Sequence, residues 1–492
     1  MKRLFDIVLI VVLLCFGRVV HSQGHAANWV FGDGFHIEFD EAGPNVLPFI
    51  ENYYAFEGAS SISTKTGELL FYSNTINIWN REFAPLFNSD TLPYTGLIPT
   101  TTKSNGSLLL PWPGDSLDRY FAFYTMDEAE SKIRLSQIDR YLDMGLGGIV
   151  DSFKYKDIFG VGVAEQMTAV RHANGRDWWI ICRKGQIESN EFIVALHTPL
   201  GIDHWELQDA GFLAGFAGEL VSSKDGSFLA LTAIGICPEV PSMIGLFSFD
   251  RCEGRVQFID SILTQSCAEG PYGIVFSADG LSLFYSTIKR VRVYQLRLVD
   301  DVLVDSLMFT IPGSAFLVES GSLERGKDDE VYISYRLVNT ISGLMGVSNH
   351  LGKIYMNEFG DYLFDTLFLP LNGRENPTFS LPNFANYDLG PLVGSPCDTL
   401  SPQDTTKTGF QSSPLQNISW SVDPSISSGN YTVTGGSGRW LVVHDLYGRE
   451  VLRLWHEGTT PFDLTTQPAG LYLVHLRGVD GTRSLPQKIV RQ

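Results

Sequence analysis

A glutamate recurs ahead of five apolar segments of this 492-residue sequence. These residues are Glu57 in "AFEGAS", Glu165 in "VAEQMT", Glu219 in "FAGELV", Glu269 in "CAEGPYG" and Glu319 in "LVESGS". Each precedes a polar turn by 7 to 11 residues, so each would begin an equivalent strand. Carboxylates that crowd together must be hydrated, partly protonated or countered by a positive charge. The pattern predicts a site for a cation or a cationic ligand; the alternative is a scaffold role, in which each glutamate accepts a backbone N–H from the next repeat.

Two tryptophans are further candidates for ligand contact. Trp79 in "IWN" and Trp112 in "PWP" fall in polar or proline-rich stretches, where an exposed ring can stack on a sugar. Trp178 and Trp179 in "DWWIIC" are followed by apolar residues, so core packing is predicted for them instead.

Established catalytic motifs do not occur in the sequence. There is no G-x-S-x-G, no H-E-x-x-H and no Walker loop. We therefore assign no catalytic residue and favour a function without catalysis. No cofactor is predicted, apart from a divalent cation that the glutamates would attract. The net charge of −19 and the lack of a Lys/Arg cluster argue against nucleic acid as a partner.

The elements that would position the glutamates repeat along the chain. Six segments show an apolar strand, a tight polar turn and an apolar-aromatic strand, and the turns include Gly67, Gly175, Gly226 and Gly280. Asp115 and Asp328 occupy the equivalent turns of the other two segments. One turn about every 48 to 60 residues is typical of four-stranded blades arranged radially. The sequence predicts an all-β protein with a β-propeller over residues 24–397, of about seven blades or alternatively six.

Closure of the ring is predicted to use both ends of the propeller sequence. The N-terminal "NWVFGDGFHIEFD" would pair with strands near "GKIYMNEF" and "PTFSLPNF" to complete a seventh blade. Residues 398–414 are polar and without periodicity, which indicates a linker. Residues 415–492 carry six or seven short strands, which suit a small immunoglobulin-like β-sandwich.

The N-terminus has the pattern of an export signal. Lys2 and Arg3 precede an apolar run from Ile7 to Phe16, and small residues lead up to Ser22. We predict a signal peptide over residues 1–22 that is cleaved between Ser22 and Gln23. A membrane anchor is the alternative. No transmembrane helix is predicted in the mature protein, which would cross the inner membrane and reach the cell surface or the medium.

Five cysteines lie beyond the predicted signal, so at least one is unpaired. In one predicted blade, Cys237 and Cys267 follow strands that end at the same face, while Cys252 lies at the opposite end. An eight-residue strand spans about 26 Å, beyond the reach of a disulfide. The favoured pair is therefore Cys237–Cys267; the alternative is that all thiols are free.

The end of the chain resembles the C-terminal sorting domain of type IX secretion cargo, found in Bacteroidetes. The matching pieces are "VDPSISSGNYTV" (422–433), "VVHDLYGREVL" (442–452), "FDLTTQPAGLYLVHL" (462–476) and "QKIVRQ" (487–492), with Asp423 where the family usually has Asn. The motif residues are Asp445, Leu446, Gly448, Arg449, Glu450, Pro468, Ala469, Gly470 and Lys488. The resemblance implies that outer-membrane type IX machinery recognises and removes residues 415–492.

The preceding sequence resembles Bacteroidetes surface propellers of WD40/YVTN-like type, for example in "NWVFG" (28–32), "MTAVRHANGRDWWII" (167–181) and "GIVFSADGLSLFYST" (273–287). We expect an exported or surface protein that binds a glycan or protein ligand at one propeller face. The alternatives are a propeller-type hydrolase, lactonase or glycan-cleaving, and a structural part of a surface assembly.

Overall fold

The computed structural model of the chain describes residues 24–89, 103–114, 120–126, 131–185, 189–215, 217–235, 240–264, 270–287, 292–299, 302–310, 316–339, 350–372, 378–398, 415–416, 419–445, 450–477, 483–484 and 487–492. The chain forms two compact units, which meet in the sequence between Thr399 and Leu400. Within the described ranges, the only helical elements are short 3-10 turns at Gly24–Ala26, Asp143–Gly145 and Asp151–Phe153. None of these is long or apolar enough to cross a membrane.

The larger unit contains seven antiparallel sheets in chain order, which we number as blades 1 to 7. Blade 1 contains β1 (Asn28–Phe31), β2 (Phe35–Asp40) and β3 (Gly43–Val46). Blade 2 contains β4 (Ser60–Ser63), β5 (Leu69–Ser73) and β6 (Ile78–Asn80). Blade 3 contains β7 (Ser107–Pro111), β8 (Tyr120–Met126), β9 (Ile133–Asp139), β10 (Gly148–Ile149) and β11 (Lys156–Asp157).

Blades 4 to 7 each contain four strands. Blade 4 contains β12 (Val163–Arg171), β13 (Trp178–Lys184), β14 (Ser189–Thr198) and β15 (Gly201–Ala214), and blade 5 contains β16 (Leu220–Ser222), β17 (Phe228–Ala233), β18 (Ser242–Asp250) and β19 (Arg255–Thr264). Blade 6 contains β20 (Pro271–Phe276), β21 (Ser282–Thr287), β22 (Arg292–Val299) and β23 (Val302–Thr310). Blade 7 contains β24 (Phe316–Arg325), β25 (Val331–Asn339), β26 (His350–Met356) and β27 (Tyr362–Pro370). Seven sheets in the described residues confirm the predicted number of blades, but blades 1 and 2 have three strands there and blade 3 has five, instead of the predicted four.

Apolar side chains from neighbouring blades form the cores between them. Val170 and Trp179 of blade 4, for example, pack with Leu220 and Leu229 of blade 5. Trp178 and Trp179 are 0% and 3% exposed, which confirms their predicted packing role. Strand alternation explains this pattern, because successive side chains of one strand point into opposite interfaces.

The tight turns that follow the innermost strands use the predicted glycines. Gly67, Gly175, Gly226 and Gly280 have φ values of 99°, 74°, 72° and 72°. In blade 7 the residue with positive φ is Asp329, at 64°, rather than the predicted Asp328, and Asp115 lies outside the described residues. Gly226 is required for a second reason, since a Cβ there would lie 2.7 Å from the Leu389 side chain.

Closure of the ring differs from the prediction. The "GKIYMNEF" strand is β26, which pairs with β25 and β27 inside blade 7, while β1, β2 and β3 form blade 1 among themselves. Blades 1 and 7 instead meet through side chains: the rings of Trp29 and Tyr332 lie 5.6 Å apart, edge to face. Side-chain packing therefore replaces the predicted strand exchange in the described part of the ring.

Residues 378–398 follow the last blade but pass along the innermost strands instead of forming a strand of a sheet. We call this segment the plug. Its backbone N–H groups at Phe379, Asn383 and Asn386 donate to carbonyls of Phe56, Ala59 and Ala169, at 2.9, 2.8 and 3.3 Å. "PTFSLPNF" was predicted to include a blade strand; it begins the plug instead, because its partners are inner strands of several blades.

Plug side chains extend these contacts to other blades. Asn383 Nδ2 donates to the carbonyls of Ser107 and Met167, at 3.1 and 3.4 Å, and Asn383 is 6% exposed. Asn386 Nδ2 donates to the carbonyls of Ser223 and Lys224, at 2.8 and 3.0 Å. Since an amide side chain has two N–H donors, each asparagine can join carbonyls that the sheets leave free.

A disulfide holds the end of the plug. Cys397 is bonded to Cys252, which follows β18 in blade 5; their Cα atoms are 5.5 Å apart and they are separated by 145 positions in the chain. The alternative of free thiols throughout is wrong for these two residues. Cys182 is a buried free cysteine, as the odd count requires. Cys237 and Cys267 lie outside the described residues, so their pairing stays a prediction.

The smaller unit packs two sheets face to face. The three-stranded sheet contains β29 (Trp420–Asp423), β31 (Asn430–Gly435) and β34 (Thr459–Asp463); the larger sheet contains β28 (Leu415–Gln416), β30 (Ile426–Ser427), β32 (Arg439–Asp445), β33 (Glu450–His456), β35 (Gly470–Arg477), β36 (Arg483–Ser484) and β37 (Gln487–Arg491). Tyr431 and Val433 of the first sheet pack with Val443 and Val474 of the second. The immunoglobulin-like relationship stays a prediction.

We predict that the Cys252→Ser/Cys397→Ser double variant is less stable than the wild type by about 2–4 kcal/mol, because the disulfide restricts the unfolded chain. Urea unfolding under non-reducing conditions measures this. Peptide mapping of the unreduced wild type provides the control for bond formation. Equal unfolding free energies would contradict a stabilising role for the bond.

We also predict that Asn383→Ala lowers the free energy of unfolding by about 1–3 kcal/mol, because it leaves two buried carbonyls without their donors. Asn190→Ala is the matched control, since Asn190 is exposed and a surface change usually alters stability by less than about 0.5 kcal/mol. If both variants unfold at the same urea concentration, the plug side chains do not hold the ring.

Candidate functional site

Three of the five predicted glutamates lie where inner strands begin. Glu57 precedes β4, Glu165 is near the start of β12 and Glu219 directly precedes β16. Glu319 lies in β24, but its side chain is outside the described part of the chain, as is the whole of Glu269. The structure therefore places three of the five carboxyl groups.

These three carboxyl groups act on one tyrosine of blade 6. Burial raises the pKa of Tyr272 well above its ordinary value, and the negative charges of Glu57, Glu165 and Glu219 raise it further. Tyr272 is 3% exposed and its ring lies 5.9 Å from that of Phe379 in the plug. The three glutamates come from three different blades, yet all of them lie close enough to Tyr272 to raise its pKa. They are therefore grouped at one mouth of the channel.

Glu219 has the scaffold role that was the alternative prediction. Its Oε2 accepts the backbone N–H of Ile274 in the next blade at 3.0 Å. Its own N–H donates to Thr232 Oγ1 at 2.9 Å, and the Thr232 hydroxyl donates onward to the Tyr272 carbonyl. Glu219 is 3% exposed, so this carboxyl group joins blades 5 and 6 rather than facing bulk water.

Blade 3 has serine and asparagine in the position that glutamate takes elsewhere. The Ser104 hydroxyl donates to the Gly218 carbonyl and lies 3.5 Å from Glu165 Oε2. Asn105 Oδ1 accepts the Leu220 N–H at 2.8 Å. Short polar side chains therefore link blade 3 to blade 5 at this end of the channel.

A cavity of about 70 Å³ lies between the plug and the inner strands of blades 5 to 7. Its lining includes Glu219, Ser322, Glu324 and Arg325. Sequence analysis missed Glu324, which lies on the same inner strand as Glu319 but near its other end. The Glu324 side chain lines the cavity, and burial there affects its carboxyl group.

Both cavity glutamates hold their protons more tightly than usual. Burial raises the pKa of Glu219 to about 7, and the neighbouring Ser322 hydroxyl and the Ile274 N–H oppose this shift. Burial raises the pKa of Glu324 to about 8, with a further increase from Glu219 and opposing contributions from Arg325. Each group is therefore partly protonated near neutral pH.

The two candidate tryptophans pack within the unit. Trp79 is half-buried and its ring stacks on Tyr72, with centroids 5.5 Å and planes 8° apart. Trp112 is half-buried between Phe153 and His197, with its ring 4.8 Å from the imidazole. Both rings thus have packing roles, and their part in ligand binding stays a prediction.

The predicted sorting residues are partly visible in the smaller unit. Pro468, Ala469 and Gly470 form an exposed turn at the start of β35, and Lys488 is exposed on β37. Asp445 and Glu450 lie in β32 and β33, and nothing is described of their side chains. Leu446, Gly448 and Arg449 fall outside the described residues, like Ser22 and Gln23 of the predicted cleavage site.

The described part of the chain contains no group of three or more His, Cys, Asp or Glu side chains arranged to hold a metal ion. Carboxyl and hydroxyl oxygens at the cavity are the groups that remain suited to a hard cation, and Glu269 and the Glu319 side chain are not described.

Sequence reasoning also missed the plug. "LPNFANYDLGPL" contains two asparagines among aromatic and aliphatic residues, with neither strand alternation nor a turn signal between blades. The signal that could have indicated the plug is an apolar segment after the last repeat that contains isolated amide side chains.

No family model matches the chain, and no curated protein shows significant similarity. Among solved structures, the periplasmic gluconolactonase PpgL of Pseudomonas aeruginosa is 11% identical, with a TM-score of 0.38 over 94% of this chain and 99% of its own. The β-propeller domain of Cps50 (Swd1) from Myceliophteria thermophila is 14% identical, with a TM-score of 0.37 over 65% of this chain and 96% of its own. These values carry no argument about activity, and the seven sheets themselves define the propeller.

We predict that stability falls as pH rises from 5 to 8 and then levels off. The folded-state pKa values of Glu219 and Glu324, about 7 and 8, exceed the ordinary value of 4.5, so the stabilisation is fully present below pH 4.5 and is lost progressively until the pH has risen through 7 and 8. Melting temperatures measured in EDTA should therefore decline less with pH in Glu219→Gln and Glu324→Gln than in the wild type.

The control for this experiment is Glu68→Gln, since Glu68 is exposed. It should follow the wild-type decline. Parallel pH profiles for all four proteins would contradict the assignment of the decline to the two cavity carboxyl groups.

Proposed function

We propose that this protein is exported and acts outside the cytoplasm as a binding protein, with the smaller unit as its type IX secretion signal. The observation that carries the proposal is the Cys252–Cys397 disulfide. Disulfides persist in oxidising compartments and are rare in the cytoplasm, where thiols are kept reduced. The basic and apolar residues before Gln23 support the same route.

The smaller unit suits a signal that is recognised as a folded domain. Its last strand, β37, pairs with β35 on one side, and through Val490 and Arg491 with β30 on the other. The terminal residues therefore have a defined position instead of hanging free. The exposed Pro468–Gly470 turn aligns with this strand, because Gly470 is the register partner of Arg491.

Binding at the face of the propeller, rather than catalysis in the channel, is supported by the plug. Pockets for small organic ligands usually have volumes of about 300–1,000 Å³. The cavity beside the plug has about 70 Å³, and its carboxyl groups lie behind plug residues 381–388. A ligand at the mouth would instead meet Glu57 and Glu165, which are half-buried there. A glycan or protein ligand remains the proposed class.

The experiment is to determine both termini of the protein, by mass spectrometry, from the surface and the medium of producing cells. We expect the mature chain to begin at Gln23 and to end within about residues 398–420. All or nearly all of the last 78 residues, 415–492, would be missing. The non-reduced mature protein should retain the peptide that joins Cys252 to Cys397.

The control is a chain truncated after Thr399, which should accumulate in the periplasm because it lacks the sorting domain. An intact Gln492 in surface protein, or equal secretion of the truncated chain, would overturn the sorting role. Free Cys252 and Cys397 thiols in the isolated protein would remove the observation on which export rests.

A further inference from the structure

We propose that the cavity between the plug and blades 5 to 7 is a calcium site, with Glu219, Glu324 and Ser322 as oxygen ligands. The proposal goes beyond the binding function above, since it concerns the interior of the channel. It rests on the two carboxyl groups and the buried hydroxyl that line this cavity.

Each of the two carboxyl groups uses one oxygen for a backbone hydrogen bond. Glu219 Oε2 accepts the Ile274 N–H at 3.0 Å, and Glu324 Oε1 accepts the Arg325 N–H at 2.9 Å. These bonds fix both side chains at the edge of the cavity that they line. Each group has a second oxygen, Glu219 Oε1 and Glu324 Oε2, in addition to the one that accepts the backbone N–H.

Ser322 supplies an independent observation at the same cavity. It is 4% exposed and lines the cavity, and its hydroxyl oxygen has no hydrogen-bond partner. The hydroxyl lies close enough to Glu219 to oppose the rise in the pKa of that carboxyl group. Because a buried hydroxyl without a partner is costly, the residue indicates an occupant that offers it a contact.

The chemistry of the lining favours a hard cation. The three groups present oxygen atoms, and two of them carry negative charge when ionised. Arg325 is the one positive side chain of the lining, and its Nε lies 3.9 Å from Asp329 Oδ1. A cation between Glu219 and Glu324 would offset the repulsion that arises when both lose their protons.

Calcium fits this site better than magnesium or zinc. Calcium accepts six to eight oxygen ligands in irregular geometry and includes water among them, whereas magnesium needs a near-ideal octahedron. Zinc sites use Cys or His, and neither residue lines the cavity. The cavity of about 70 Å³ has room for the ion and bound water, since about 10–15 Å³ of this kind of volume is enough to hold one water. With two carboxylates, the expected Kd is about 10⁻⁴–10⁻³ M.

The test uses the full chain after treatment with EDTA and removal of the chelator. We expect the melting temperature to rise with added CaCl2 and to saturate in the millimolar range, with a smaller effect of MgCl2. Glu219→Gln and Glu324→Gln should raise the half-saturating calcium concentration by about tenfold or more, since each removes a charged ligand. Ser322→Ala should weaken binding less.

Terbium luminescence provides a second measurement that does not depend on unfolding. Tyr387 lines the cavity, so excitation of tyrosine should sensitise bound Tb³⁺, and calcium should displace it. Glu68→Gln, at an exposed position, is the matched control and should bind like the wild type. The proposal is overturned if calcium does not raise the melting temperature, or if both cavity variants retain wild-type calcium affinity in folded protein.

Discussion

The hydrogen bonding of the plug is the constraint on which the propeller depends. The innermost strand of each blade is an edge strand, so some of its carbonyl groups have no partner within the sheet and point into the channel. Asn383 donates to two buried carbonyls of inner strands, in blades 3 and 4, and Asn386 donates to two carbonyls of the turn after the inner strand of blade 5. Buried carbonyl groups without a donor are costly, so a channel without the plug would have to admit water. The segment after the last blade is thus part of the core of the ring.

The same arrangement explains why carboxyl groups are tolerated inside. Glu219 receives a backbone N–H from blade 6 and joins two blades, at the cost of burying an ionisable group. The burial raises its pKa, so near neutral pH the neutral form carries much of this role. Glu324 has the same kind of backbone bond within its own strand. At Glu219, the glutamate that precedes an inner strand therefore connects two blades, because its carboxyl group accepts a backbone N–H of the next blade directly.

The sequence predicted the features that repeat and missed those that occur once. Turn glycines such as Gly175 and Gly280 recur at blade intervals, because the same turn geometry is needed in each blade. Seven blades follow from that period. Ring closure was predicted wrongly, because the β26 residues pair with their own neighbours and the contact between Trp29 and Tyr332 has no periodic signature. Glu324 was missed because its role comes from the plug opposite it, and Cys252–Cys397 because its partner lies in that same irregular segment.

The position of the plug in the chain has a consequence for folding. The backbone N–H of Gly32 in the first blade donates to the Ser380 hydroxyl, 348 positions later in the chain. Cys252 is bonded to Cys397, 145 positions later. Contacts this distant in sequence form slowly, because the closure entropy of a long loop must be overcome first. The inner strands of every blade are therefore synthesised before the segment that satisfies them. A chain with this order of contacts remains incompletely folded until residue 398 is available. The disulfide then holds the last contact in place at the moment when the ring is complete, and it does so only where thiols can be oxidised.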